Sequence, residues 1–257
     1  MAGRPRDLIW TLVRREISTR FGPGAVAYIW ALVVPLSWIG FGILAFAFFD
    51  RKTPLSAEPA LFLATGILPY VVFRQTLISV TRAATANRAL LHLPGVCLPD
   101  LIIAYALLEG LTTAVIVVLV LTSVTWVVSG DWPNLFFETV FLFATTWILA
   151  VALSILTTLV SERMPSVGRI LPLVLRPLFW ISGVFFVASE LPPIWQDLLS
   201  WNPLFLLIDG VRAAYFHGYI SPVYSASSVF WVLGCTLTCA LLLLLGRVRS
   251  PQVRVML

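Results

Sequence analysis

The sequence predicts an all-α membrane protein with six transmembrane helices, an N-terminal amphipathic interface helix, and short outer-interface helices between the fifth and sixth spans. Three observations carry this expectation. Of 257 residues, 60% are hydrophobic and only 11% are charged, giving a mean hydropathy of +0.96, far more apolar surface than one soluble core can bury. Apolar stretches of roughly 20 residues, the length that crosses a bilayer core as a helix, recur along the chain. The basic residues lie almost entirely between or beside those stretches, so the formal charge of +5 reads as an orientation signal and not as a nucleic-acid surface.

Residues 1–24 come first. Arg4, Arg6, Arg14, Arg15 and Arg20 alternate with Leu8, Ile9, Leu12, Val13 and Ile17, whose spacing of three and four places them on one helical face. This is an interfacial helix. It is expected to stop near Phe21, because Gly22-Pro23-Gly24 supplies a helix-breaking ring between two flexible residues. The first apolar run is too long for a signal-peptide core and is followed by further spans, so it is expected to remain uncleaved.

Spans are expected over Val26–Phe49, Ala60–Val80, Leu101–Val128, Leu135–Val160, Ile170–Ala188 and Ser225–Gly246, with Arg74 snorkelling from the second. Residues 81–100 form a polar, Pro-bearing connection. The segment from Ser189 to Tyr224 is too polar to span but holds Trp195, Trp201, Phe205, Tyr215, Phe216 and Tyr219. It is therefore placed at the outer interface or dipping partway in, broken at Asn202-Pro203. Six spans put 14 of the 17 Lys and Arg residues on the side of the N-terminus and leave Arg51, Lys52 and Arg212 opposite. Both termini are thus expected in the cytoplasm.

The chemistry-bearing residues are sparse. Lys52, the only lysine, has no glycine-rich approach, so no phosphate-cradling loop for ATP is expected here. Cys97, Cys235, Cys239, His92 and His217 have no metal-site spacing. Ser182-Gly183 with His217 allows an intramembrane serine protease in principle, but a Ser-Gly pair in an apolar helix usually packs. Asp100 and Glu109, about 14 Å apart along a helix, are not a catalytic dyad. Asp100 reads as a first-turn acid and Glu109 as a polar contact inside the bundle. The aromatic set Tyr28, Trp30, Trp38, Tyr70, Phe73, Phe179, Trp180, Phe185 and Phe186 is compatible with a glycan path, since aromatic rings cover the apolar faces of sugars. For any one of these residues, interface belts and lipid-facing packing are the preferred reading.

A resemblance takes the reading further. Arg14-Arg15-Glu16-Ile17-Ser18-Thr19-Arg20-Phe21-Gly22, followed by Tyr28-Ile29-Trp30-Ala31-Leu32 and Pro35, resembles the opening of the membrane subunit of capsular polysaccharide ABC exporters. The similarity continues through Gly66-Ile67-Leu68-Pro69-Tyr70, Ala86-Asn87-Arg88, Asp100, Ala106-Leu107-Leu108-Glu109, Leu171-Pro172, Arg176-Pro177-Leu178 and Trp201-Asn202-Pro203-Leu204. It covers almost the entire chain. The chain departs from the pattern at Pro23-Gly24 and at His92-Leu93-Pro94-Gly95, where a more basic stretch is usual.

The resemblance implies a single export permease domain over 1–257, with a cytoplasmic amphipathic helix at 1–24, a six-helix region at 26–246 and a cytoplasmic tail at 247–257. It implies a transport permease and not an enzyme, in the bacterial inner membrane, carrying no cofactor of its own and exporting lipid-linked capsular polysaccharide. Its implied partners are a second copy, two subunits that bind ATP and Mg, membrane lipid, and periplasmic export components. Contact with the ATPase is implied for Arg14, Arg15, Glu16, Arg20, Asn87, Arg88, Leu90 and Leu91; of the aromatic set, Tyr28, Trp30, Trp38, Tyr70, Phe73, Trp180, Phe185 and Phe186 are the candidates for a glycan path. An O-antigen or teichoic-acid exporter remains an alternative cargo assignment. An intramembrane enzyme and a secondary transporter are the alternatives from other classes.

Overall fold

The computed structural model describes residues 5–21, 26–87, 96–128, 131–164 and 166–248. The regular structure among them is helical: α1 Pro5–Phe21, α2 Val26–Phe48, α3 Pro59–Ala86, α4 Leu98–Val127, α5 Phe136–Arg163, α6 Ser166–Ile181, α7 Pro193–Ser200, α8 Pro203–Tyr215 and α9 Ala226–Val248. Among the described residues, three stretches are long and apolar enough to cross a membrane, Pro59–Ala83, Leu98–Val127 and Phe136–Arg163, and Leu32–Phe48 and Val229–Leu242 are shorter apolar runs.

Helix α3 is the central strut. Pro59 occupies its first turn, where the missing N–H has no intrahelical partner to lose, and every residue from Leu61 to Phe73 is buried. It packs on α2, α4, α5, α6 and α8. A helix apolar all round belongs in the middle of a bundle. By contrast α2, α4 and α5 each bury one side and expose residues such as Phe41, Leu44, Leu111, Val118, Phe137 and Val140 on the other. A helix occupies Pro5–Phe21, and protein covers part of its apolar side: Leu12 and Val13 of α1 pack with Leu101 and Ala104 of α4, with Ile9 and Ile17 against them.

Asp100 does what a first-turn acid should. Its carboxylate accepts the Cys97 backbone N–H at 2.9 Å, closing the start of α4. Glu109 is fully buried further along the same helix. Gly110 allows the Trp147 ring of α5 to lie where a Cβ would come within 2.9 Å of it, and the indole N–H donates to the Ala106 carbonyl at 3.1 Å.

The structure differs from the sequence expectation after α5. Instead of one helix from Ile170 to Ala188, α6 carries Pro172 and Pro177 and ends at Ile181, and the chain turns at Gly183 with φ 77°. The polar segment then splits as its sequence indicates. Asn202 caps α8 by accepting the Leu204 N–H at 3.1 Å, and Pro203 opens that helix. The two pieces have different fates: α7 exposes Ile194, Trp195 and Leu198, whereas Leu204 to Arg212 of α8 are all buried. Helix α8 runs from beside Leu149, midway along α5, to the turn before α5. There Asn134 and Leu135 donate backbone N–H bonds to the Tyr215 and Ala214 carbonyls at 3.0 and 2.8 Å.

Candidate functional site

Three groupings of polar or aromatic side chains stand out from the apolar bundle. The deepest is centred on Arg212 of α8, fully buried. Its Nη1 donates to the Gly183 carbonyl at 2.5 Å and the Phe186 carbonyl at 2.6 Å, and its Nη2 donates to the Val184 carbonyl at 2.6 Å. The guanidinium lies over the Phe62 ring at 4.0 Å, close enough for a cation–π contribution. The planar fork of arginine suits several acceptors at once, and here it holds the backbone that leaves α6. One turn earlier, Asp209 accepts the Ala188 N–H at 3.1 Å and the Tyr219 hydroxyl at 2.8 Å. Burial, and then the Asp209 carboxylate, push the Tyr219 phenol above its ordinary range, so it stays protonated as a donor. Ser182 is occupied in the same region: its hydroxyl donates to the Leu178 carbonyl at 2.6 Å and accepts from Asn202 at 3.1 Å. His217 is exposed on the loop after α8.

The second grouping joins the leading helix to the bundle. Glu16 of α1 accepts from the Tyr105 hydroxyl of α4. Asn87, just past the end of α3, donates to the Tyr105 oxygen at 2.8 Å and to the Ala83 carbonyl at 3.0 Å, and accepts from Arg15 at 3.4 Å. Glu16 and Asn87 therefore spend their polar atoms within the chain, and Asn87 is buried. Arg14 is exposed, its guanidinium 5.3 Å from the Trp10 ring. Arg88, Leu90 and Leu91 lie outside the described residues, as do the side chains of Arg20 and Tyr28. Beside this junction is an open cleft of about 520 Å³ between α1, α3, α4 and α6, lined by Glu16, Arg74, Gln75, Ser79, Arg82 and Tyr105 among others.

The third grouping is aromatic. Trp38, Tyr70 and Phe179 form a triangle with centroids 6.2, 5.0 and 4.8 Å apart. It extends through Phe179 to Phe185 at 5.4 Å, and Trp180 stacks on Phe185 at 5.1 Å. The Tyr70 hydroxyl crosses to the Leu175 carbonyl of α6 at 2.5 Å. Phe186 leaves this cluster for Phe205, 6.0 Å away. Tyr70 and Phe73 are buried, Trp38, Phe185 and Phe186 are half-buried, and Trp30 and Trp180 are exposed. Arg74 lies 6.0 Å from the Trp38 ring, so this cluster adjoins the polar cleft.

The roles of Arg212, Asp209 and Tyr105 were not singled out from the sequence. Asp209 and Arg212 carried a usable signal, being charges three residues apart within an otherwise apolar run. Tyr105 carried none, since nothing local marks a tyrosine as the partner of a residue 89 positions away.

Comparison with known proteins adds a separate line. Residues 7–216 match the ABC-2 type transporter family of membrane proteins. The chain is 32% identical over 214 residues to a polysialic acid transport protein KpsM of Escherichia coli, covering 82% of this chain and 81% of that protein. It is 27% identical over 248 residues to the capsule polysaccharide export inner-membrane protein CtrC of Neisseria meningitidis serogroup A, covering 94% and 89%. Against the capsule polysaccharide export inner-membrane protein BexB of Haemophilus influenzae it is 29% identical over 219 residues, covering 81% and 79%.

Proposed function

The chain belongs to the ABC-2 type transporter membrane family, and from that premise we propose that it is the membrane-spanning permease subunit of an ATP-driven exporter of lipid-linked capsular polysaccharide in the bacterial inner membrane. The observation that carries this reading is the similarity over four-fifths or more of the chain to permeases named for polysialic acid transport and capsule export. The helical bundle with apolar exposed faces fits it. ATP and Mg belong to separate nucleotide-binding subunits, and this chain does no covalent chemistry.

In this reading α2, α3, α4, α5, α6 and α9 make six crossings, with both termini cytoplasmic. The uneven Lys and Arg distribution supports that orientation. Helix α6, at 16 residues, is only about 24 Å long, and the segment after Gly183 completes its passage. Helices α7 and α8 form a re-entrant pair from the outer side. Two copies line one path, because a six-helix bundle built on a packed α3 leaves no room for a polymer in a single chain.

Arg14, Arg15, Glu16, Arg20, Asn87, Arg88, Leu90 and Leu91 transmit the ATPase stroke. Arg14 meets the partner directly, while Glu16 and Asn87 pass the movement through Tyr105 to α4 and α3. Tyr28, Trp30, Trp38, Tyr70, Phe73, Trp180, Phe185 and Phe186 supply the aromatic wall of the path. Trp30 and Trp180 form its surface and Tyr70 and Phe73 its support. Periplasmic components receive the polymer.

The reading is tested by deleting the gene in its host and locating the polymer. Accumulation inside with loss from the surface is the expected result. Unchanged surface glycan with nothing retained, in a host without a redundant exporter, overturns the assignment. A finer expectation follows from the junction. Tyr105→Phe removes a donor to Glu16 and an acceptor for Asn87, a loss of roughly 1 kcal/mol per bond. It should lower surface polymer several-fold while the assembled complex continues to hydrolyse ATP. Equal losses of both activities would mean that the junction only holds the subunits together.

A further inference from the structure

Helix α6 is fastened to the bundle unevenly along its length. It packs chiefly on α3 and α5. Of its 16 residues Leu175 alone is buried, and none from Ser166 to Val174 is. Leu175 is also where α3 grips it, since the buried Tyr70 donates its hydroxyl to the Leu175 carbonyl at 2.5 Å. Trp38 and Phe179 hold the Tyr70 ring, with centroids 6.2 and 4.8 Å away. Beyond Leu175 the outer end is tied down. Ser182, just past the helix, bonds the Leu178 carbonyl and accepts from Asn202, and Arg212 holds the Gly183, Val184 and Phe186 carbonyls. Before Leu175 the contacts are slight: Arg169 reaches Ser166 on its own helix at 3.5 Å, and even a Cβ added at Gly168 would lie 3.9 Å from the Ser161 hydroxyl of α5.

The backbone is weakened at the same place. Pro172 and Pro177 stand inside α6, and each lacks the N–H that would bond the carbonyl four residues earlier, those of Gly168 and Leu173. The second gap spans Leu175. A proline inside a helix costs about 3 kcal/mol relative to alanine, so two of them in a helix with one buried residue do not serve stability. They are where such a helix bends. We propose that α6 is a jointed lever in the transport cycle: the part before Leu175 bends at the two proline gaps while the Tyr70 hydroxyl holds Leu175 in place as the pivot. Tyr70 is then a positioning residue that acts through α6. The arm from Leu175 back to Arg169 is about 9 Å long, and a bend of about 20° moves its tip by about 3 Å. The lever deepens the exporter reading and rests on it for its purpose, but the bend has a readout of its own.

The test uses the full chain, carrying Cys97→Ser, Cys235→Ser and Cys239→Ser, assembled with its ATPase subunits in phosphatidylcholine nanodiscs. Spin-labelled copies are diluted with unlabelled ones so that pairs within one chain are read. Arg169→Cys paired with Trp126→Cys reports the inner arm, and Ile181→Cys paired with Trp126→Cys reports the outer end; all three positions are exposed. On passing from the nucleotide-free to the vanadate-trapped complex, the first distance should shift by about 3 Å, the movement of the arm's tip, and the second should hold. The double variant Pro172→Ala, Pro177→Ala restores both backbone N–H groups. It should abolish the shift and lower surface polymer by roughly ten-fold, as arrest of a gating motion implies, while ATP hydrolysis continues and the unfolding midpoint stays level or rises. Tyr70→Phe keeps the ring and releases Leu175, so both distances should move together and export should fall several-fold. Equal shifts of the two distances in wild type, or no shift of the first, overturn the lever, as does full export by the proline variant. Should that variant fail to fold, the wild-type distances decide alone. A shift of the inner distance alone, with surface glycan unchanged in the deletion strain, would keep the lever and refute the exporter.

Discussion

Arg212→Met is expected to lower stability by about 3–5 kcal/mol and to leave no surface polymer. The side chain is fully buried and donates to three backbone carbonyls, those of Gly183, Val184 and Phe186. Methionine fills much of the same volume, so the cavity cost is small. Replacing a whole buried ionic cluster with apolar groups can be neutral, but these acceptors are main-chain atoms and remain polar in the variant. Each carbonyl left without a donor costs about 1–3 kcal/mol, and a total stability of about 5–15 kcal/mol does not readily absorb that. Arg212→Lys should fall between, because an ammonium on a flexible stem cannot match a planar fork across three acceptors. Thermal unfolding of the purified protein in one detergent checks the order wild type, Lys, Met. An unchanged midpoint for the Met variant would show that water or lipid satisfies these carbonyls and that Arg212 is not the clamp.

That clamp marks the limit of what the sequence disclosed. Apolar runs located α2, α4 and α5 to within three residues and the start of α3 to within one, though α3 continues past Val80 to Ala86, because hydrocarbon crossing is a matter of length and composition. Asn202-Pro203 marked a chain break for a local reason, a side-chain cap followed by a proline, whereas Gly22-Pro23-Gly24 lies outside the described residues. Asp100 was legible for the same kind of reason. The end of α6 was not, since residues 170–188 read as one apolar run and Ser182-Gly183 resembles an ordinary packing pair. The donors of Arg212, 29 positions from Gly183, together with the Asp209 carboxylate on the Ala188 N–H, make it favourable for that backbone to leave the helix while buried. The cleft was hidden for a related reason. Arg74 and Arg82 were each sensible as snorkelling or loop charges, and their shared groove appears only once α1 and α6 close over α3. Of the residues assigned to ATPase contact, the resemblance placed some on the leading helix and some on the loop that follows α3. It did not reveal that Glu16 and Asn87 turn inward to a common tyrosine.

Gly183→Ala is expected to be the second most damaging of these changes, and two glycines that share its backbone or its neighbourhood allow the causes to be separated. Gly183 has φ 77°, and a Cβ there would sit 2.8 Å from Cδ2 of Phe205, itself fully buried. Left-handed backbone costs an L-residue about 1–2 kcal/mol, and forcing an atom into a packed core adds about 1–3 kcal/mol. Gly218 has φ 79° but nothing within 4 Å of its Cβ position, so Gly218→Ala should show only the first cost. Gly66 isolates the second. It lies within α3, where backbone strain is not at issue, yet its Cβ would fall 2.6 Å from Nη2 of Arg212 and 2.8 Å from the Val184 carbonyl oxygen. An arginine tip can usually move aside, but this one is held by three carbonyls, so Gly66→Ala should push α3 away from the turn it supports. In an Arg212→Lys background the shorter, unforked side chain relieves part of that clash, and Gly66→Ala should then cost less than in wild type. Unfolding midpoints for the four single variants and this pair decide the matter. If Gly183→Ala is no worse than Gly218→Ala and the pair is additive, the turn after α6 tolerates displacement and the close approach of α3, α6 and α8 does not limit stability.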